Sequence, residues 1–378
     1  MKIAIVLPGG VDRGGEERVI PVFLALIERL ARVHEVHVFA LHQETAPGTW
    51  PLRGATIHNI GEGRTVWRAI GAVIAEHRRA PFQLVQAIFS GHCSFIAVAA
   101  ATYLRLPSAV HIAGGELVVL HAIDYGGRRT WRGRLREAVV LRLADVVTAA
   151  SQPILNALRA MGIDARRVPL GVDTVAWPPS TPRSRGEGPA HLVHVASLNR
   201  VKDQDTLLRA VAKLVHAGVD VELRMVGVDT LAGEMQRLAQ RLGLERHVSF
   251  LGFRTQRELR PLLASADLLV MSSLHEAGPL VTLEAAVLGV PTVGTAVGHI
   301  AEWSPNAARA VPPGDADALT EAIHSVLDDD GLRMRLAAEA QRRALAEDAE
   351  HTASLFLTIY GELAAGSHRA SLVSERDG

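Results

Sequence analysis

The chain has 378 residues, 48% of them apolar but only 4% aromatic, and 40 basic side chains balance 40 acidic ones. That length supplies cores for two or three domains, and the neutral balance argues against nucleic acid as a partner. The single cysteine, Cys93, excludes a disulfide framework and a cysteine-based zinc site, and it fits a reducing compartment.

Met1 to Leu7 is apolar but stops at Pro8-Gly9-Gly10, so Ile3–Leu7 reads as a strand rather than a signal peptide. The longest apolar run, Phe95 to Ala101, is too short to span a bilayer. Val11-Asp12-Arg13-Gly14-Gly15-Glu16-Glu17-Arg18 is read as opening the first helix. Glycines there either let amides approach a phosphate or form an ordinary turn, and the dinucleotide Gly-x-Gly-x-x-Gly spacing is absent. Val19, Ile20, Phe23, Leu24, Ile27 and Leu30 mark one helical face, and Val36–Leu41, Leu84–Phe89, Ala109–Ile112 and Val146–Ala149 read as buried strands. His111 ends one of them and is expected to face a cleft, just before Gly114-Gly115-Glu116. From Arg128 to Arg142, six arginines surround Trp131 with Glu137 as the only acid. This is either a solvated helix face or a contact surface for anionic lipid or an anionic acceptor. Ser151 is an N-cap candidate, and Gly162 ends the helix that follows.

Residues 178–189 hold four prolines and read as an interdomain linker. A second β/α series follows, with strands at His191–Ala196, Val221–Val226, Val248–Leu251, Leu268–Met271 and Pro291–Gly294. Helices begin near Asp203, Gly233, Gln256, Pro279 and Asp315. Two α/β halves imply two doubly wound parallel sheets, with ligands at the carboxyl ends of the strands. Arg200 and Lys202 follow the first strand of the second half and can neutralise a diphosphate. Phe253-Arg254 ends another strand, either near a nucleotide base or as a simple turn. Asp203-Gln204-Asp205 and Asp315-Ala316-Asp317 are better explained as helix starts than as metal ligands. The stretch from His275 to Ala286 is the most informative. Glu276 sits on a loop after a strand, Gly278-Pro279-Leu280-Val281 opens a helix whose free amides make an anion site, and Glu284 lies one turn inside. Carboxylates on both sides of an anion site suit a nucleotide-sugar, whose phosphates lie between hydroxyl groups.

Together these motifs resemble the retaining glycosyltransferases of the GT-B fold, family 4, over nearly the whole length. The resemblance rests on Gly14-Gly15-x-Glu17-Arg18, the basic loop ending in Lys202, Val168-Pro169-Leu170-Gly171-Val172-Asp173, the Glu276–Glu284 pair and Pro291-Thr292-Val293-Gly294-Thr295. It implies two Rossmann-like domains facing a central cleft. Residues 1–177 would form the acceptor domain, 178–189 a linker and 190–348 the donor domain. Residues 349–365 would form a helix packing back on the first domain, and 366–378 a flexible tail. It further implies that Lys202 and Arg200 bind the donor diphosphate with the amides of 278–281, that Glu284 accepts the ribose hydroxyls and that Glu276 contacts the donor sugar. From the first domain Gly14 would touch the donor and Gly15 the donor phosphates or the acceptor, with Phe253 and Arg254 near the base. Two positions depart from the family pattern. Ser197 stands where an arginine is usual, which leaves Arg200 as its substitute. Ala113 stands where a histidine is usual, which leaves His111, with Gly115 and Glu116, on the acceptor side. The expected activity is transfer of a sugar from a UDP- or GDP-sugar to a sugar or lipid-linked acceptor hydroxyl, with retention and without cofactor or metal. The expected setting is cytoplasmic, as a monomer by default, with peripheral contact at an anionic membrane. The alternative is a catalytically degenerate relative that binds the nucleotide-sugar as a scaffold or regulator.

Overall fold

The structure, a computed structural model, describes residues 1–374. Two compact units divide the chain, Met1–Leu170 with the segment from Ala349 onward, and Gly171–Asp348.

The first unit contains strands β1 (Lys2–Leu7), β2 (Glu35–Ala40), β3 (Gly48–Leu52), β4 (Ala55–Asn59), β5 (Leu84–Ile88), β6 (Ser108–Ile112), β7 (Val146–Ala149) and β8 (Arg166–Arg167). Its helices are α1 (Pro21–Ala31), α2 (Thr65–Arg79), α3 (His92–Leu104), α4 (Trp131–Leu143), α5 (Gln152–Ala160) and, from the end of the chain, Ala349–Ser374. The sheet order is β3-β4-β2-β1-β5-β6-β7-β8, parallel except for the β3–β4 pair. β1, β5 and β6 are buried at every residue, as largely apolar strands are when helices cover both faces. The terminal helix packs on α1. Its Tyr360 hydroxyl donates to Gln86 Oε1, and its Thr352 hydroxyl donates to Pro169 O at 2.7 Å.

The second unit contains β9 (Ala190–Val195), β10 (Val221–Val226), β11 (Val248–Gly252), β12 (Leu268–Met271), β13 (Thr292–Thr295) and β14 (Ala308–Val311). They form one sheet in the order β11-β10-β9-β12-β13-β14, every described pairing parallel. Helices α6 (Gln204–His216), α7 (Glu234–Arg241), α8 (Gln256–Ala264), α9 (Leu280–Val287), α10 (Gly298–Trp303), α11 (Ala316–Asp328) and α12 (Asp330–Ala346) complete it. Two apolar clusters sandwich the sheet. Leu207, Leu214 and Ile323 belong to one, and Leu263, Ala285 and Trp303 to the other.

Three expectations are corrected. The proline-rich stretch 178–189 does not separate the units, because it is tied into the second one. Ser180 N donates to Val287 O (3.1 Å), Arg183 pairs with Asp267 (3.3 Å) and Arg333 donates to Arg183 O (2.6 Å). The chain passes between units at Leu170/Gly171 and Asp348/Ala349 instead. Gly14 and Gly15 do not open the first helix. α1 starts at Pro21, a residue whose fixed φ and missing N–H suit a first helical turn, and 11–20 is a loop. The last helix continues past 365 to Ser374, and 375–378 of the expected tail lie outside the described residues. No helix among the described residues is long and apolar enough to cross a membrane.

Candidate functional site

In the second unit the chain winds outward from β9 to β10 and β11 on one side, and β12 to β14 lie on the other. β9 and β12 are therefore neighbours with diverging connections, the place where a parallel sheet leaves a crevice at its carboxyl edge. The loops leaving these two strands are clamped together. Leu274 N donates to Val201 O (2.8 Å) and the Ser272 hydroxyl to Lys202 O (2.9 Å). This brings Lys202 Nζ to 2.5 Å from Glu276 Oε1, an oxygen that also accepts from the Ser273 hydroxyl at 2.7 Å. Both charged side chains are largely sheltered, 23% and 11% exposed.

Beyond Glu276 the accessible positions are 278, 280 and 284, while Ala277, Pro279, Val281 and Thr282 are buried. Pro279 is the N-cap of α9 and no side chain caps the helix, so the Leu280 and Val281 amides keep the partial positive charge of a helix start. Gly278 is required there: a Cβ would lie 2.7 Å from His299 Nε2. The His299 ring is buried and stacked on Trp303 at 5.8 Å, so it has no room to retreat. One turn into α9, half-buried Glu284 accepts from Gln256 Nε2 at 3.3 Å, and burial pushes its carboxyl up to about 7. Gln256 begins α8, immediately after the exposed Phe253 and the Arg254 turn, so Glu284 and this turn belong to one neighbourhood.

Arg200 does not join Lys202. Its guanidinium forks onto Glu234 of α7 at 2.8 and 2.6 Å in an exposed position, whereas Lys202 faces Glu276. Beneath the Lys202 loop lies His194, buried on β9. Its Nδ1 donates to Val270 O (2.9 Å), which leaves Nε2 to accept from Gln204 (3.2 Å). Gln204 also donates to Ser197 O (3.1 Å) and so braces the loop, and burial holds the His194 imidazole down at about 4. The two Asp-x-Asp stretches act as caps and ion pairs. Asp203 and Asp315 cap α6 and α11, Asp205 pairs with Arg209, and Asp317 pairs with Lys213.

In the first unit, the loop after β1 is held by Gln43, whose Oε1 accepts from Gly10 N (2.7 Å) and Val11 N (2.9 Å). Gly14 N bonds to Asp12 Oδ2 (3.2 Å) and Gly15, at φ +69°, donates to Asp12 O (3.0 Å). Their amides are thus engaged in a local Asp12 turn. His111 does not face a cleft. It is 0% exposed, hydrogen-bonded to Thr148 Oγ1 (2.9 Å), edge-on to Phe356, and burial depresses it to about 3. Gly115 is packed under Tyr125, where a Cβ would meet the hydroxyl at 2.3 Å. Glu116 turns its carboxylate inward to accept from Ser90 N (3.0 Å), and the Ser90 hydroxyl donates to Glu137 (2.5 Å). Burial raises both carboxyls, and for Glu137 the neighbouring Glu116 charge adds to it. Three residues named from the sequence as acceptor-facing therefore build the ends of β5 and β6.

A family model described as "Glycosyl transferases group 1" matches residues 181–343, the unit that carries Lys202, Glu276 and Glu284. A second, "Glycosyltransferase Family 4", matches residues 14–176. The chain belongs to glycosyltransferase family 4. Among the curated relatives of this family 4 protein is an MMP alpha-(1->4)-mannosyltransferase from Mycolicibacterium hassiacum, 30% identical over 57% of this chain and 54% of the relative. Another is a D-inositol 3-phosphate glycosyltransferase from Corynebacterium urealyticum, 28% identical over 61% and 52%. The chain thus spans about half the length of these relatives. Among solved structures, sucrose-phosphate synthase from Thermosynechococcus elongatus aligns at TM-score 0.81 with 21% identity, covering 97% of this chain and 99% of that one. Anabaena HepE in complex with UDP-glucose aligns at 0.74 with 20% identity, covering 96% and 100%. Both are two-domain α/β neighbours of the GT-B type, which is the fold of this chain.

Of the residues the sequence named for this family 4 site, the structure brings together Lys202, Glu276, Gly278, the α9 start and Glu284 with the Phe253–Arg254 turn. It does not bring in Arg200 or His111. The structure adds Ser273, Gln256, His299 and His194 to the residues brought together. Ser273 carried one signal, standing three residues before Glu276 at the end of a buried strand. The other three act through packing and leave no spacing rule.

Proposed function

We propose that this protein is a retaining glycosyltransferase that moves a sugar from a nucleoside-diphosphate sugar to an acceptor hydroxyl. The observation that carries the reading is the Lys202–Glu276–Ser273 cluster set beside the uncapped start of α9. Lys202 and the Leu280 and Val281 amides take the diphosphate, Glu284 takes the ribose hydroxyls, and Glu276 lies beside the reacting sugar. The anomeric carbon–oxygen bond to the β-phosphate breaks and its electron pair leaves on the diphosphate. The acceptor oxygen bonds to the same face of the carbon, and its proton passes to the departing phosphate oxygen. Stabilising that leaving charge is the main catalytic task, and a fixed ammonium plus helix-start amides supply it without a metal. Solved neighbours that hold UDP and UDP-glucose support a uridine donor as the first to try.

The test is calorimetric titration with UDP, GDP, ADP and their common sugars. Transfer is then assayed with the donor that binds, with and without chelator, and the product's anomeric configuration is read by NMR. Tight binding of one diphosphate, chelator-insensitive turnover and retention are expected. Inversion of configuration overturns the mechanism. Near wild-type transfer by both Lys202→Ala and Glu276→Ala overturns the site. Binding without turnover on any acceptor favours the scaffold reading.

A further inference from the structure

α4 has a polar cap and two apolar faces. Thr130 accepts from Gly133 N at its start (3.1 Å), and Glu137, Val140 and Leu141 point into the first unit. On the opposite side Trp131, Leu135, Val139 and Leu143 recur every four residues and are 63%, 57%, 47% and 61% exposed. Residues at that spacing stack along one stripe of a helix. Large exposed apolar side chains usually occur singly, and a contiguous row marks a contact surface. Here four of the twelve exposed large apolar residues among those described lie on one helix of thirteen residues.

The rim identifies the partner. Arg132, Arg134 and Arg142 are exposed, and among the described residues none of them pairs with a carboxylate. Arg132 sits over the Trp131 ring at 5.4 Å. Glu137, the only acid between 128 and 143, is buried on the inner face. The outer face is therefore apolar along its middle and cationic along its rim. A second copy of this chain meeting the same face would set arginines against arginines. An anionic bilayer surface is complementary in both respects. Its acyl boundary receives the aliphatic row, its headgroup level suits the tryptophan ring, and its phosphates take the guanidinium groups.

We propose that α4 docks this protein peripherally on an anionic membrane, a surface property separate from the donor chemistry of the second unit. The test is co-sedimentation of the full chain with phosphatidylcholine vesicles, with and without a quarter phosphatidylglycerol, at low and high salt. Wild type should bind the anionic vesicles and release with salt. The Leu135→Glu/Val139→Glu variant should lose about tenfold or more in partitioning. The Arg132→Ser/Arg134→Ser variant should lose about fivefold per arginine at low salt and show a flatter salt dependence. All four substituted side chains are exposed, so unchanged thermal melting by circular dichroism should confirm that both variants fold. Equal binding by wild type and variants, or no binding by wild type, overturns the proposal. So does a wild-type dimer in sedimentation velocity that Leu135→Glu/Val139→Glu abolishes, which would assign the face to a second copy.

Discussion

Lys202 and Glu276 form a direct ion pair, so under the proposed function the glutamate and a diphosphate are rivals for one ammonium. Breaking a fully buried pair costs about 3–5 kcal/mol and an exposed one about 0–1. With 23% and 11% exposure, this pair falls between them, at about 1–2 kcal/mol. Glu276→Gln keeps the shape and the Ser273 contact but removes the competing charge. Nucleoside diphosphate binding should therefore tighten by about 5–30-fold, since each 1.4 kcal/mol is about tenfold. Transfer should nevertheless fall, because the carboxylate beside the reacting sugar is gone. Lys202→Met removes charge-assisted bonds of about 1.5–3 kcal/mol and should weaken the same ligand by about 10–100-fold. Calorimetry with UDP and GDP on the three proteins, paired with initial transfer rates, reads both effects. Parallel weakening by both variants would refute the rivalry and place Glu276 on the nucleotide itself.

Glu284 has its carboxyl raised by burial to about 7, against an ordinary 4.5. Folding thus favours the protonated form, and the stability this confers is complete below 4.5 and lost as pH rises through about 7. Part of the residue is solvent-accessible, so Glu284→Gln should gain about 1–2 kcal/mol over wild type above pH 7, and little near pH 4, in urea melts. The same variant should bind UDP less tightly, and unchanged affinity would remove the ribose role. His194 is held at about 4 by burial, below its ordinary 6.5, so its contribution is complete above 6.5 and lost as pH falls through about 4. Wild type should lose up to about 3 kcal/mol more across that window than His194→Gln, and identical acid profiles would contradict the buried neutral imidazole. Gly278→Ala pushes a Cβ against the fixed His299 ring. It should weaken UDP binding, with the double variant Gly278→Ala/His299→Ala recovering part of it; simple additivity would rule out the clash.

The donor half was legible because its chemistry and its fold use the same local signals. Leu268–Met271 is a short apolar run, Gly278-Pro279 marks the turn, and the helix after it starts where proline and glycine allow. Val221–Val226 and Val146–Ala149 likewise match at both ends: each follows an aspartate, Asp220 or Asp145, and begins with valine, a β-branched residue that favours strands. The edge pair β3–β4 and helix α2 escaped notice. Gly48–Leu52 is short and contains a proline, which argues against a strand, and α2 buries only Ala69 and Val73, so its apolar face is narrow. Composition does not distinguish a flexible proline-rich segment from residues 178–189, whose backbone is pinned by Val287 O and the Arg333 guanidinium.

The two residues offered as substitutes for family positions are displaced for one cause. Arg200 and His111 were assigned by proximity along the chain, as substitutes for family positions held by Ser197 and Ala113. Two residues along a turn or a strand is enough to change what a side chain meets. Along β6, His111 shares a face with Ala109 and Ala113, but that face is covered: Phe356 of the terminal helix lies against the ring, and Thr148 takes its nitrogen. That helix is separated from His111 by more than two hundred residues, so no local pattern announces it. On the Lys202 loop, Glu234 at the start of α7 pairs with Arg200. A substitute for a missing motif residue must therefore be sought among side chains that share its surroundings rather than its sequence neighbourhood. By that criterion the β5 and β6 ends offer the Ser90–Glu116–Glu137 network, in which Ser90 occupies one oxygen of each carboxylate and the second oxygens, Glu116 Oε2 and Glu137 Oε2, are buried without a hydrogen bond. The second unit, by contrast, keeps Lys202, Glu276 and the uncapped α9 amides together at the carboxyl edge of its sheet, where a diphosphate could meet all three.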